Sequence, residues 1–178
     1  GFVGGCLIWG ASDFGGWTNI YGAPATLSSF VFNMLMGLSG GMIGAFWWSK
    51  GNPFWMMSGG LAGIFICAAG LDIWYPGFAF LLGIVAGIVI IPANNWLHNT
   101  FKIDDCVGAV SIHGVCGCLG LLAVALFATG FPAAGDIPPS NFIGQIVGLV
   151  TFWLLGFVPG YGISFIMKSA GWLRVPDH

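Results

Sequence analysis

Few side chains in this 178-residue chain can carry acid–base or ligand chemistry, and the most informative is His113. It follows the adjacent pair Asp104 and Asp105 in the stretch DDCVGAVSIHGVCGCLGLLAVALFATG, Asp104 to Gly130. After those aspartates the run carries no charge and is long enough to cross a bilayer. Counted from Asp105, the eight steps to His113 correspond to about 12 Å along a helix, against roughly 15 Å for half the hydrocarbon core. The expectation is therefore an imidazole near the bilayer midplane. Histidine as a residue type titrates near neutrality and can accept at one ring nitrogen while donating at the other. A hydrogen bond that merely ties two helices together is the competing reading, but burial at membrane depth is costly enough to favour function. Gly114, Gly117 and Gly120 follow at spacings of three and leave one strip bare, open to a neighbouring helix or a narrow passage. Asp104 and Asp105 would point about 100° apart on a helix, which suits an N-cap better than an acid–base pair.

The elements that must position these residues follow from composition. With 57% hydrophobic residues, 6% charged residues and a mean hydropathy of +0.93, the chain is a polytopic membrane protein. Its 31 glycines, without a strict period, suit close helix packing in lipid. A net charge of -2 with scattered basic residues leaves no footprint for nucleic acid. Cys6, Cys67, Cys106, Cys116 and Cys118 have no ligand spacing and read as small packing residues, with no metal site, disulfide framework or cofactor expected. No nucleophile–base pair, paired carboxylates or phosphate loop points to an enzyme. The chain opens on Gly1 inside an apolar run without a signal peptide's charged region or cleavage site, so a missing upstream segment is expected.

Six spans are expected, at about 1–20, 25–48, 54–71, 77–97, 105–128 and 141–167, with 169–178 as a tail. Trp74 and Tyr75 read as an interfacial aromatic pair between the third and fourth spans. Pro92 predicts a kink or an early stop, with Asn94, Asn95, His98 and Asn99 as a polar exit. The longest loop is TGFPAAGDIPPS, Thr129 to Ser140. Lys50, Lys102, Lys168 and Arg174 follow spans two, four and six, so alternation gathers all four on one face. By the positive-inside rule that face, and the C-terminus, are cytoplasmic in a multi-pass protein of the cell membrane. No internal repeat is evident. If this is the later half of an inverted-repeat transporter, its other half is absent from this sequence.

The DD pair, the small-residue turn, HGVCG and the glycine-spaced run after it resemble the late signature helix of the ammonium transporter (Amt/Mep/Rh) superfamily. The likeness extends through GGLAGIFICAAG (Gly59 to Gly70), PGFAFLLGIVAG (Pro76 to Gly87) and the closing LRVP (Leu173 to Pro176). It implies the second half of a bundle of about eleven helices, built from two inverted halves around a hydrophobic pore and assembled as a homotrimer. On that map His113 falls on the second of the family's twin pore histidines, and Ala109 on a pore-facing position one turn earlier. Gly114 and Gly117 keep the helix close to its neighbour, and Asn33 matches a recurring asparagine. In the first span the family's WxGFNxGS pattern is replaced by SDFGGWTNIYG, where Phe14 stands nearest the gating phenylalanine and Asn19 nearest the recruitment-site serine. Asp13 there is atypical. The first histidine of the pair and its acidic companion would lie in the missing N-terminal half or a partner chain.

Such a pore suits ammonium chemistry. A bare cation crosses hydrocarbon at great cost whereas neutral ammonia passes, so a site that takes the proton and offers a hydrogen bond lowers the barrier. The leading expectation is transmembrane passage of ammonium or ammonia. An ammonium sensor on the same fold, or a non-transporting structural membrane subunit, are the alternatives.

Overall fold

Each helix in this chain begins and ends on chemistry that its sequence supplies, and the computed structural model describes residues 26–131 and 139–172. Helix α1 (Leu27–Ser49) opens on a capping box in which the Thr26 and Ser29 side chains each take the other's backbone N–H at 3.1 Å. It closes on Lys50 and Gly51, both at positive φ. Helix α2 (Pro53–Cys67) starts on Pro53, with the Asn52 carboxamide accepting from the Phe54 N–H, and ends in a 3-10 turn at Ala68–Gly70. Helix α3 (Pro76–Trp96) again starts on a proline and runs into a π-helical turn, Leu97–Phe101. A second π turn, Val110–Val115, leads into α4 (Cys116–Phe127), and α5 (Phe142–Ser169) is capped by Asn141.

Among the described residues, five helices, counting their tight or wide end turns, are long and apolar enough to cross a membrane. The fold is all-α and polytopic. The expected first span at 1–20, with Phe14 and Asn19, lies outside the described residues, as do 132–138 and 173–178, including Arg174.

The core is built by glycine. A Cβ on Gly37 would stand 2.6 Å from the Gly63 carbonyl oxygen, and one on Gly59 would stand 2.5 Å from that of Gly41. Cβ atoms on Gly83 and Gly87 of α3 would be driven into the carbonyl oxygens of Gly37 and Gly41 as well. Helix α1 is thus clasped between α2 and α3 with backbone against backbone. This is how helices associate when lipid supplies no hydrophobic drive between them. Asn33, 1% exposed, ties the arrangement down by donating from Nδ2 to the carbonyls of Leu71 and Trp74, both at 2.8 Å.

One sequence expectation is corrected here and another is narrowed. Trp74 is not turned outward: it is 1% exposed, folded over Gly70 within the core, while Tyr75 alone is outward. A side chain at residue 70 would collide with the indole, so the glycine makes room for it. Pro92 does not end its helix. The α3 backbone continues past it through Asn94 and Asn95, and the π turn takes in His98 and Asn99.

Helix α4 joins the core at Gly120, where a Cβ would lie 2.5 Å from the Ile66 carbonyl oxygen of α2. Helix α5 buries none of its residues and, among the described elements, makes its main contact with α4, the Trp153 indole N–H donating to Cys118 Sγ at 3.2 Å. The ends of the connection between them are tied together: Gly130 N–H donates to Ser140 O at 2.7 Å, and Ser140 N–H to Phe131 O at 2.9 Å.

Candidate functional site: the histidine at the start of α4

The turn before α4 decides where His113 stands. Gly108, at φ +73, is buried beneath the helix start, and helical backbone begins at Ala109, four residues later than a start at Asp105 would have it. The cap is made from a distance. Asp105 Oδ2 accepts from the backbone N–H groups of Val110 (2.9 Å) and Ser111 (3.2 Å), while Asp104 is exposed. Asp105 therefore does cap this helix, but from the loop that folds under it. A carboxylate placed against the free N–H groups and positive end of a helix is favoured there. The Ser111 hydroxyl, fully buried, lies 3.2 Å from Asn94 Oδ1 on α3 and 3.4 Å from Asp105 Oδ2.

His113 sits inside the π turn. Cys116 N–H is bonded to Ser111 O, five residues back instead of four. A wide turn of this kind carries one extra residue, and single π turns recur at functional sites. The imidazole meets Phe65 of α2 edge-on, with ring centroids 4.1 Å apart and planes at 62°.

That contact also gives the level of the histidine along α2. The count from Asp105 no longer applies, because the segment before Ala109 is not helical. Phe65 instead lies twelve residues beyond Pro53, about 18 Å along a span whose eighteen residues extend about 27 Å. The imidazole is thus level with a residue of α2 about 18 Å from the start of that helix at Pro53.

On its open side His113 borders a cavity of about 370 Å³ between α4 and α5, with Gly114, Gly117 and Cys118 on one wall and Phe152 and Trp153 on the other. A Cβ on Gly117 would meet nothing within 4 Å, and one on Gly114 would meet only Val110. These two glycines therefore widen the cavity, and the close helix approach expected of the glycine strip falls to Gly120 alone. Ala109 is exposed at the first helical residue and does not line the cavity. The His113 imidazole faces walls that are almost wholly apolar. The space is an open groove in which His113, Phe152 and Trp153 are all exposed, and it offers a small molecule a single ring to donate to it or accept from it.

Sequence reasoning passed over Phe65, Ser111, Asn94 and Trp153. A phenylalanine in an apolar run carries no signal for touching a histidine. Ser111 was legible only as a polar residue inside a span, and Asn94 was assigned to an exit loop.

Comparison with known proteins points the same way. Residues 10–178 match the sequence profile of the Ammonium Transporter Family. The chain is 28% identical over 154 residues to ammonium transporter Amt1 of Methanocaldococcus jannaschii, covering 85% of this chain and 38% of that protein. It is 33% identical over 128 residues to a putative ammonium transporter of Synechocystis, covering 71% and 27% respectively. A solved structure described as a sensor Amt protein superimposes with a TM-score of 0.73 at 26% identity, over 84% of this chain and 39% of that one. The chain spans between a fifth and two fifths of the length of the curated relatives it matches. By its profile, its relatives and its fold, this chain belongs to the ammonium transporter family.

Proposed function

We propose that this chain forms the later half of a membrane pore for ammonium or ammonia, with His113 as the pore histidine that exchanges a proton or hydrogen bond with the passing substrate. The observation that carries the reading is an exposed imidazole, packed on Phe65, on the wall of an otherwise apolar groove beside glycines that leave it open. A charged ammonium ion is costly in apolar surroundings and neutral ammonia is not, so proton transfer at their edge is the step that a histidine can serve. Gly114 and Gly117 belong to the same passage, and Ala109 to its approach. Phe14 and Asn19 are assigned to the gate and the outer site on the family pattern alone.

The same reading makes the face bearing Lys50, Lys102 and Lys168 cytoplasmic, with the C-terminus on that side. Apolar side chains such as Phe32, Leu35 and Trp153 stand exposed along the helices. They fit lipid, the complementary half of the bundle and neighbouring copies in a homotrimer.

A sensing role is the second reading, favoured by the likeness to the sensor Amt structure. Methylammonium uptake by the native full-length polypeptide in a host lacking its own ammonium transporters separates the two. Transport with ion selectivity that His113→Ala abolishes or degrades supports the pore. Uptake and selectivity unchanged by that substitution would remove His113 from the mechanism, and binding without uptake would make the protein a sensor.

A further inference from the structure

The wide turn around His113 lies between two anchors. On one side, Gly120 sets the rotation of α4 by pressing it against the Ile66 carbonyl of α2. On the other, the start of the helix is held independently: Asp105 Oδ2 takes the N–H groups of Val110 and Ser111, and the buried Ser111 hydroxyl reaches Asn94 on α3. Between these anchors the chain carries one residue more than an α-helix accommodates, and the Cys116-to-Ser111 bond is where the excess is taken up. π turns are rare, well under about 1% of residues in globular proteins, and one persists only where its surroundings hold it.

We propose that Asp105, Ser111 and Asn94 are positioning residues for His113, acting through the π turn to aim the imidazole at Phe65 and the cavity. This rests on the reading of His113 as a pore residue. None of the three lines the cavity, so none is placed to touch the substrate there. Release of the Asp105–Ser111 anchor lets the segment tighten toward an ordinary α-helix. One residue subtends about 100° of a helical turn, so the imidazole would swing by a large part of that angle and leave Phe65.

The test uses the native full-length polypeptide, with Asp105→Ala and Ser111→Ala as releasing variants and Asp105→Asn as the conservative one, since its amide oxygen still accepts from the Val110 and Ser111 N–H groups. Two quantities are read in membranes that contain equal amounts of protein. The first is the NMR shift of the His113 ring protons, which the Phe65 ring 4.1 Å away displaces through its ring current. The second is methylammonium uptake. Both alanine variants are expected to lose the ring-current displacement and to lower the maximal uptake rate about tenfold, with the half-saturating concentration within about twofold of wild type. Asp105→Asn is expected to retain the displacement and most of the rate. His113 shifts that stay at wild-type values in Ser111→Ala and Asp105→Ala would overturn the proposal. Should His113→Ala transport like wild type, the pore reading falls, while the ring-current measurement still decides whether the anchor positions the ring.

Discussion

Replacing Gly37 by alanine asks whether backbone contact holds α1 in place. The new methyl group would stand 2.6 Å from the Gly63 carbonyl oxygen and 2.9 Å from Cys67 Sγ, where ordinary contact begins at 3.4 Å. The helices must therefore part by 3.4 − 2.6 = 0.8 Å at that level. The oxygen belongs to a helix backbone and cannot swing aside. Any retreat of α1 would also loosen its contact with α3, because Gly83 is packed against the same Gly37 carbonyl. Overpacking of this kind costs about 1–3 kcal/mol, and the better helix propensity of alanine, worth up to about 1 kcal/mol in water, offsets part of it. A net loss of about 1–2 kcal/mol should lower the melting temperature by about 2–8 °C. The control is Gly148→Ala on α5, where a Cβ meets nothing within 4 Å, and which should melt at or slightly above the wild-type temperature. Both variants of the native full-length polypeptide are melted in detergent and followed by tryptophan fluorescence. If Gly37→Ala melts together with Gly148→Ala, the glycine clasp is not what holds α1.

Asn33→Ala leaves the Leu71 and Trp74 carbonyls without their buried donor; it should cost about 2–4 kcal/mol, seen as a lower melting point and faster proteolysis of the turn between α2 and α3. Cys106 is exposed in the turn before α4, on the lysine-bearing face, whereas Cys67 and Cys116 are fully buried. In a variant keeping Cys106 as its only cysteine, a membrane-impermeant maleimide should react in inside-out vesicles and not in intact cells; the reverse pattern would invert the proposed orientation.

What could be read from the chain follows physical lines. Membrane helices announce themselves by composition, and HGVCG after the aspartate pair marked both the family and the residue worth following. Contacts between elements were hidden. Trp74 looks interfacial because tryptophans often are, and only the fold reveals that Gly70 leaves space for its indole. The spacing from Asp105 to His113 assumes a helix from Asp105, but residues 102–108 are not helical, and the contact with Phe65 sets the level along α2. The π turn had no signature either. It lies between the Ser111–Asn94 bond and the Gly120–Ile66 contact, both of which reach other helices. Likewise, nothing local distinguishes Gly120, which touches α2, from Gly117, which opens the cavity.

The backbone clasp of α1 by α2 and α3 has a thermal consequence. Contacts made between glycines fix no side-chain rotamers, and contacts formed inside lipid remove no surface from water. The heat-capacity change that bends the stability curve of a water-soluble domain comes from hydrating newly exposed apolar surface. Separating α1 from its neighbours within a bilayer should therefore show little such curvature. Its free energy should vary almost linearly with temperature, and the three-helix unit should hold together in the cold, where cores that depend on the hydrophobic effect weaken.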